Sequence, residues 1–300
     1  MVIVRFQGGL GNQMFQRAFL ESIKKYSNDV RADLSEFNGI SYHNGYEISS
    51  VFDDKCETAK WSDIAKCANF FQIPHHTVIG SYLNCYFRNM LNSMRKGKYR
   101  KPTHIYEDQF LKMTQEEIIG LINRYHLIYL DGWWFEKKIY DSVDLSHIFA
   151  FSEVVKDKCK AYKDMIEKTE SCSLHIRLGD YVNNSVFGIL GMDYYHKAIQ
   201  YIRNLAPETV FYVFSDDIER AKEQLGETDG FEYVETVDKN DSGVDMYLMS
   251  CCKNNIIANS SYSFWGAKLN RNTEKTVVAP ERFTSKLRFD IAIDEGWHII

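Results

Sequence analysis

The sequence predicts an α/β protein whose second half forms a doubly wound parallel sheet, and three observations lead to this prediction. Beyond residue 150, short apolar runs alternate with segments of helical periodicity, the pattern of parallel strands joined by crossover helices. The chain also opens on an apolar run, a glycine-rich loop and a helical pattern, which predicts another βα unit. Its 300 residues, 45% hydrophobic and 26% charged, suffice for two domains of ordinary size.

The first βα unit consists of a strand over Val2–Phe6, the loop Gly8-Gly9-Leu10-Gly11-Asn12 and a helix that begins near Asn12. Glycines let a backbone approach a ligand closely and a helix N-terminus favours negative charge, so this loop is a candidate phosphate cradle. A plain tight turn is the alternative, because Met14 stands where the dinucleotide fingerprint has its third glycine. Helical spacing predicts one buried face of the helix, formed by Phe15, Ala18, Phe19, Ile23 and Tyr26.

The middle of the chain, residues 38–126, mixes aromatic and polar residues and has convincing helical periodicity only over Glu116–Tyr125. A buried strand is predicted from Leu127 onward, and it runs into a turn with exposed aromatics at Trp133-Trp134. These rings either fill a domain interface or stack on the face of a sugar, and the sequence leaves both open. The best domain boundary is Ser146–Ser152, which predicts domains of residues 1–150 and 151–300.

The second half carries the alternating pattern through to its end. Strands are predicted at Cys172–Ile176, Val210–Phe214, Phe231–Val234, Asn255–Ala258 and Thr276–Ala279. Helices are predicted over Val155–Ile166, Tyr195–Leu205, Asp245–Cys252 and Trp265–Leu269, and another after Asp217. This order of elements predicts the parallel, doubly wound sheet.

Polar clusters follow three of these strands: His175/Arg177/Asp180, Ser215/Asp216/Asp217 and Ser260/Ser261/Ser263. Ligands of open α/β sheets bind outside the carboxyl ends of the strands, and an arginine placed there suits a diphosphate because its planar fork donates two parallel hydrogen bonds. Each cluster also has a structural explanation, either an Arg177–Asp180 ion pair or helix N-caps, and for Asp216-Asp217 we favour capping. An arginine and a serine-bearing helix start on neighbouring strands would hold one pyrophosphate, which indicates a nucleotide-linked donor.

Composition narrows the class of partner. A net charge of −5 and no basic block longer than Arg95–Lys101 argue against nucleic acid. The seven cysteines are scattered without a Cys-x-x-Cys pair, which predicts free, mostly buried thiols in a reducing compartment. The first residues lack a signal-peptide pattern, and no apolar run approaches the ~20 residues that span a bilayer, so we expect a cytoplasmic protein.

Four motifs then occur in order along nearly the whole chain: Gly8–Gln16, His175–Tyr181, Phe214–Asp217 and Asn259–Ala267. With them the chain resembles the α-1,2-fucosyltransferases of glycosyltransferase family 11, and its His-x-Arg motif is also similar to that of α-1,6- and protein O-fucosyltransferases. The resemblance implies a GT-B architecture of two Rossmann-like domains, an acceptor-side domain over residues 1–150 and a nucleotide-sugar domain over 151–300. It also implies inverting transfer from GDP-β-L-fucose, without metal or other cofactor, to the 2-hydroxyl of a terminal galactose on an oligosaccharide or glycolipid. A peripheral contact with a membrane is compatible with such an acceptor.

The resemblance also implies a role for each residue of this chain that matches a family motif. Arg177 would bind the donor pyrophosphate and act in catalysis, and His175 would lie near the ribose or guanine. Asp245 would accept hydrogen bonds from the guanine, although a helix cap is an equal alternative. The remaining expectations are that Ser260, Ser261 and Ser263 hold phosphate oxygens, that Asn12 and Gln13 face the cleft, and that Asp180 and Asp216 orient Arg177 and its loop.

Three departures from the family pattern bear on donor binding and on the acceptor. Leu178 stands where a second arginine is usual, Arg17 replaces a tyrosine, and Trp133-Trp134-Phe135 lacks a following Gln-Ser. Inverting transfer calls for a base at the cleft, but the sequence singles none out. The carboxylates considered for it, each explained more simply as a surface or capping acid, are Asp33, Glu36, Asp131 and Glu136.

Two other classes of function remain open. A Rossmann-type NAD oxidoreductase would use the Gly8–Gly11 loop and Asp33, but it leaves the clusters around Arg177 and Ser260 unexplained. A non-catalytic glycan- or nucleotide-binding relative would result if Leu178 abolished donor binding.

Overall fold

A computed structural model describes residues 1–37, 44–68, 101–178, 190–226, 229–235, 241–284 and 293–300. The chain divides into two structural units. The N-terminal unit comprises Met1–Ser49 and Asp54–Phe149, and the C-terminal unit comprises Ser50–Asp53 and Ala150–Ile300. Asp180, Tyr181 and most of the basic run at residues 95–101, which the sequence analysis singled out, lie outside the described residues.

The N-terminal unit is built on a parallel sheet with the strand order β2-β1-β4-β3 among its described residues. The strands are β1 (Val2–Arg5), β2 (Val30–Asp33), β3 (His104–Tyr106) and β4 (Ile128–Asp131). The helices are α1 (Leu10–Ile23), α2 (Ile48–Val51), α3 (Trp61–Cys67), α4 (Glu107–Phe110), α5 (Gln115–Arg124), α6 (Lys137–Tyr140) and α7 (Leu145–Ile148), with a 3-10 turn at Ser35–Phe37.

Side chains of β1 alternate between two apolar layers, as the period of a strand requires. Val2 and Val4 join a core that contains Phe19 of α1, whereas Ile3 packs with Ile64 of α3 on the other face of the sheet. Both faces are therefore covered by helices, which is typical of parallel sheets. The predicted face of α1 is buried as expected, although the helix begins two residues before Asn12 and Tyr26 is only partly buried.

The C-terminal unit contains a parallel sheet with the strand order β10-β9-β8-β5-β6-β7 among its described residues. Its strands are β5 (Glu170–Ile176), β6 (Thr209–Ser215), β7 (Phe231–Tyr233), β8 (Asn254–Ile256), β9 (Val277–Ala279) and β10 (His298–Ile299). Its helices are α8 (Glu153–Ile166), α9 (Met192–Leu205), α10 (Ile218–Leu225), α11 (Ser242–Cys251) and α12 (Ser261–Lys268). Residues 50–53 join this unit through a bridge between Phe52 and Phe151.

Strand β5 lies between β8 and β6, and its two faces differ in polarity. Leu174 and Ile176 enter an apolar core with Ile202 of α9. Ser173 faces the opposite side, where the amide of Asn255 donates to its hydroxyl at 2.7 Å and to a carbonyl of α11. The odd-numbered face of β5 is therefore the polar one, and it leads along the strand to His175.

The alternating strands and helices of the second half are confirmed, with shifts of a few residues at their ends. β3 and β10 were not predicted: β3 lies in the segment 38–126, where aromatic and polar residues mix without a clear period, and β10 has only two residues. The prediction of exposed aromatics at Trp133-Trp134 is wrong for Trp134, which is fully buried. The cysteines in the described ranges are free thiols, and no helix there is both long and apolar enough to cross a membrane.

Candidate functional site

Arg177 follows the last residue of β5, at the carboxyl edge of the C-terminal sheet. Its Nε lies 3.1 Å from Asp216 Oδ2, and Asp216 Oδ1 accepts the backbone N–H of Leu178 at 2.9 Å. Asp216 comes directly after β6, which pairs with β5 up to Ile176 and Ser215. The expectation that Asp216 orients Arg177 is therefore confirmed. Asp217 is the N-cap of α10 and accepts the N–H of Arg220, as favoured from the sequence.

His175 is almost entirely buried on the polar face of β5, with 3% of its surface exposed. Its ring lies 5.7 Å from the ring of Tyr262, in the first turn of α12. Burial and, after it, the charge of Arg177 lower the pKa of His175, and Asp216 opposes them; together they bring this pKa to about 3. The imidazole is consequently neutral near pH 7, with one nitrogen able to donate a hydrogen bond and the other able to accept one.

The serine cluster forms the start of α12. Ser260 is the N-cap, and its hydroxyl accepts the N–H of Tyr262 at 3.3 Å. Ser261 is half-buried at the first helical position, whereas Ser263 is fully buried. The Ser263 hydroxyl accepts the N–H of Ala258 at 3.1 Å, so Ser263 closes the loop between β8 and α12. We therefore correct the expectation that Ser263 contacts phosphate, because its side chain has a structural role.

Tyr262 connects this helix start to α11. Its hydroxyl donates to the carbonyl of Ser242, the first residue of α11, and its ring contacts His175. Asp245 lies in the first turn of α11 and is half-buried, while Asp241 occupies the N-cap position. Asp245 is therefore not the helix cap. Tyr262 was part of the motif but had no assigned role, because sequence alone does not show which side of α12 faces β5.

Leu178 points away from this polar edge. It is 1% exposed and belongs to the apolar core beneath α9, together with Leu174 and Ile176. The alternation of β5 thus continues for two residues beyond the strand, sending Arg177 to the polar side and Leu178 to the core. The described residues of the C-terminal unit that these contacts bring together at this edge are His175, Arg177, Asp216 and Tyr262, with Ser260 and Ser261 beside Tyr262 at the start of α12. Asp245 lies on α11, the helix whose first residue Tyr262 contacts.

In the N-terminal unit, Asn12 and Gln13 follow the glycine loop and differ in exposure. Gln13 is fully buried, and its amide nitrogen donates to the carbonyls of Gly8 at 3.0 Å and Gly45 at 2.8 Å. Its amide oxygen accepts the N–H of Glu47 at 2.9 Å. The expectation that Gln13 faces a cleft is therefore corrected, because its side chain ties two loops of its own unit together. Asn12 is half-buried and lies over Gly8.

Three of the four carboxylates considered as bases, Asp33, Glu36 and Asp131, lie in a network around Arg5 near the carboxyl ends of the N-terminal strands, and the fourth, Glu136, directly precedes α6. Arg5 contacts Glu36 at 2.7 Å and Asp131 at 3.0 Å. Burial would raise the pKa of Asp131, but the contact from His104 and the charge of Arg5 outweigh it and lower that pKa. Asp33 accepts from the hydroxyl of Tyr129 at 2.7 Å. These contacts explain Asp33, Glu36 and Asp131 as structural acids.

Arg17, the residue that departs from the family pattern, is also structural. Its buried guanidinium contacts Asp54 at 2.5 Å and Glu21 at 2.8 Å, which satisfies its charge within the N-terminal unit. In the part of the chain that the structure describes, no three His, Cys, Asp or Glu side chains are grouped to hold a metal ion.

Comparison with known proteins agrees with this arrangement. The model of the family described as glycosyl transferase family 11 matches residues 1–298. The chain is 32% identical over 308 residues to the Escherichia coli "O-antigen biosynthesis glycosyltransferase WbnK", with 94% of this chain and 96% of the relative covered. It is 31% identical over 288 residues to an E. coli "Alpha-1,2-colitosyltransferase", with 93% and 91% covered.

Solved structures show the fold at lower identity. POFUT1 in complex with GDP-fucose is 13% identical with a TM-score of 0.55, over 92% of this chain and 97% of that chain. An Arabidopsis thaliana FUT1 variant in complex with GDP is 14% identical with a TM-score of 0.53, over 95% and 71%. The fold is therefore of the GT-B type found in these fucosyltransferases, as predicted.

Proposed function

This chain belongs to glycosyltransferase family 11. We propose that it transfers L-fucose from GDP-β-L-fucose to the 2-hydroxyl of a terminal galactose on a glycan. Transfer with inversion forms an α linkage: the acceptor oxygen attacks the anomeric carbon as the bond to the diphosphate breaks. The electron pair of that bond stays on the diphosphate, and the proton of the acceptor hydroxyl is released to water, so the products are the glycoside, GDP and one proton. The proposal includes no metal, so side chains must stabilise the charge on the leaving group.

The observation that carries the proposal is Arg177, held through Nε by Asp216 at the carboxyl edge of the parallel sheet. A guanidinium fixed in this way does not have to reorganise as the diphosphate takes on charge. Its charge is permanent near neutral pH, and its fork suits phosphate oxygens. In this proposal Arg177 binds the diphosphate more strongly in the transition state than in the ground state, which is what accelerates the reaction.

The neighbouring residues supply the rest of a nucleotide site. Ser260 and Ser261 begin an eight-residue helix, whose first N–H groups favour an anion. Neutral His175 offers one donor and one acceptor to the nucleoside, and the carboxylate of Asp245 suits the adjacent N–H donors of guanine. These roles agree with the family resemblance except that Ser263 is now structural. Asn12 remains our candidate contact from the acceptor-side unit.

A second donor has specific support, since a relative 31% identical to this chain is named an α-1,2-colitosyltransferase. Colitose differs from fucose by the absence of one ring hydroxyl, so a site for one sugar is close in shape to a site for the other. The same name supports an α-1,2 linkage. We keep GDP-fucose as the proposed donor and GDP-colitose as the alternative that the experiment must separate.

Calorimetric titration of the protein with GDP-fucose, GDP, UDP and NAD tests the proposed donor. We expect GDP and GDP-fucose to bind in buffer containing EDTA, and UDP and NAD to bind at least about tenfold more weakly. Binding of NAD without GDP would favour an oxidoreductase. A protein that binds GDP-fucose but transfers no sugar would be a non-catalytic relative.

The reaction is tested by incubating the protein with lactose and either GDP-fucose or GDP-colitose. NMR of the product should show an α-linked sugar on the 2-hydroxyl of galactose. A β anomer, or a sugar on another hydroxyl, would contradict the proposed linkage. Faster transfer of colitose than of fucose at equal concentrations would make colitose the donor sugar.

A further inference from the structure

Trp133 is an exposed aromatic ring held in place by an unusual turn after β4. It is 42% exposed, while the next residue, Trp134, is fully buried. Trp134 has a φ of 64°, a left-handed conformation that is strained for an L-residue with a large side chain. Its ring stacks on Phe19 with centroids 3.5 Å apart, which fixes it in the core. The turn thus directs one tryptophan inward and its neighbour outward.

A carboxylate holds this turn by its backbone. Glu107 accepts the N–H of Trp133 and the N–H of Trp134, both at 2.8 Å, one with each oxygen. The carboxylate can approach because Gly132 has no side chain; a Cβ there would lie 2.5 Å from the Cβ of Glu107. Two hydrogen bonds to an ionised group are stronger than neutral ones. The backbone of Trp133 is therefore fixed before any ligand binds.

The ring lies at the edge of the N-terminal sheet where ligands of parallel sheets bind. β1 and β4 are neighbours, and the Gly8 loop follows one while Trp133 follows the other. If Gly8 carried a Cβ, that atom would lie 3.2 Å from Cζ3 of Trp133 and 2.6 Å from Nδ2 of Asn12. The indole and the amide of Asn12 are therefore side by side, an apolar surface next to a hydrogen-bonding group.

This combination matches one class of ligand, and we infer that Trp133 is the platform on which the acceptor saccharide stacks one pyranose ring. The face of an indole carries negative charge and attracts the C–H-rich face of a pyranose, whose hydroxyls lie at its rim within reach of Asn12. Because Glu107 fixes the backbone that carries the ring, binding has only the side-chain torsions of Trp133 left to order, which lowers the ordering cost. The inference rests on the proposed function, because it assigns to this unit the saccharide that the transferase accepts.

The test compares Trp133→Ala, Trp133→Leu and Trp133→Phe with the control Trp61→Ala. Trp61 is a tryptophan of the same unit with nearly the same exposure, 43%. With GDP-fucose saturating and lactose as acceptor, Trp133→Ala and Trp133→Leu should raise the KM for lactose about tenfold, and Trp133→Phe about threefold. The Kd for GDP should stay within about twofold of wild type in all four variants.

Saturation-transfer NMR on lactose gives a readout independent of turnover. We expect the C–H protons of galactose to receive saturation from wild type and from Trp61→Ala, and to lose most of it in Trp133→Ala. An unchanged KM for lactose, or a Trp133→Leu variant equal to wild type, would overturn the inference while the proposed function stands.

Failure of the proposed function gives a different result. The wild-type protein would then bind no GDP, or would bind it and transfer to no β-galactoside. In that case the NMR comparison is repeated with a mixture of mono- and disaccharides. Equal saturation in wild type and Trp133→Ala would overturn the inference, and its loss in Trp133→Ala alone would support it.

Discussion

Asp216 connects two adjacent residues that have opposite environments. One of its oxygens binds Arg177 and the other binds the backbone of Leu178, so the same carboxylate holds the guanidinium and the chain that carries it. Leu178 fills the apolar core because strand periodicity places it on the face opposite to Arg177. At this position the protein has one arginine at the polar edge, where the family resemblance leads us to expect two in succession.

Replacing Arg177 should therefore have a large effect on turnover. We expect Arg177→Ala to lower kcat by about 100-fold or more, the usual effect of removing one preorganised donor, and to weaken GDP binding. Arg177→Lys should recover little, because an ammonium keeps the charge but loses the fork. Steady-state kinetics with circular dichroism measure this, and Arg271→Ala, which removes an exposed arginine of the same unit, is the control. A folded Arg177→Ala with most of the wild-type kcat/KM would contradict the assignment.

Restoring the usual second arginine should destabilise the protein. Leu178→Arg places an unpaired charge in a packed core, which costs about 3–5 kcal/mol of unfolding free energy. Leu178→Met conserves volume and should cost less than about 1.5 kcal/mol. Denaturant unfolding of both variants measures the difference. If Leu178→Arg unfolds at the wild-type midpoint and binds GDP more tightly, then position 178 can face the nucleotide.

His175 should make stability depend on pH. Its pKa is lowered from 6.5 to about 3 in the folded protein, so unfolding takes up a proton at any pH between these values. The free energy of unfolding is therefore not reduced by His175 above pH 6.5. As the pH falls from 6.5 toward 3, it decreases by at most about 1.4 kcal/mol per pH unit. Melting temperatures of wild type and His175→Gln across this range test it. The wild type should lose stability more steeply once the pH falls below the unfolded-state pKa of histidine, and parallel curves would contradict the prediction.

Among the secondary-structure elements, the loop between β1 and α1 requires a glycine at position 8, both for its backbone conformation and for the space beside it. Gly8 has a φ of 78°, and a Cβ there would lie 2.6 Å from Nδ2 of Asn12. Gly45 has a similar φ of 85°, but a Cβ at that position would meet no atom of the described residues within 4 Å. The two glycines therefore share the backbone requirement and differ in the space around them.

Replacing each of these two glycines by alanine separates the cost of backbone strain from the cost of steric crowding. Gly45→Ala should cost about 1–2 kcal/mol of unfolding free energy, the strain of a left-handed alanine. Gly8→Ala should cost more, because Asn12 must also move, and it should disturb the neighbouring Trp133. The difference is measured by denaturant unfolding of both variants. Equal costs would show that Asn12 yields freely and that the loop tolerates a side chain.

The elements that sequence could predict are those with a repeated pattern. The strands β5, β6 and β8 and the helices between them followed from periodicity, and the polar strand ends followed from their composition. Gln13 and Ser263 were misassigned because a motif does not show whether a polar side chain faces a ligand or the backbone of its own loop. Glu107 was missed for a similar reason, since its bonds to Trp133 and Trp134 join residues 26 and 27 positions apart in sequence.

At the level of the whole molecule, both units contain a parallel sheet with helices, but the side chains at the carboxyl ends of the strands differ between the two. The C-terminal sheet ends in a fixed arginine, a neutral histidine and a serine-capped helix, which suits a nucleoside diphosphate. The N-terminal sheet ends in an ion network around Arg5 and, beside it, the Trp133 ring next to Asn12, which suits an uncharged saccharide. The chemistry of the edges thus supports a division of labour in which one unit binds the donor and the other the acceptor.

Hydrogen exchange tests this division directly. A ligand that binds only the native protein stabilises the elements it contacts, so GDP should slow exchange of the amides in residues 174–178 and 258–264. Amides of residues 1–23 and 128–135 should exchange at the same rate with and without GDP, and should slow when lactose is added to the GDP complex. Arg177→Ala should weaken the first effect at the same GDP concentration. Protection of residues 8–12 by GDP alone would instead assign the diphosphate to the glycine loop, because the amides that contact the ligand are the ones that it protects.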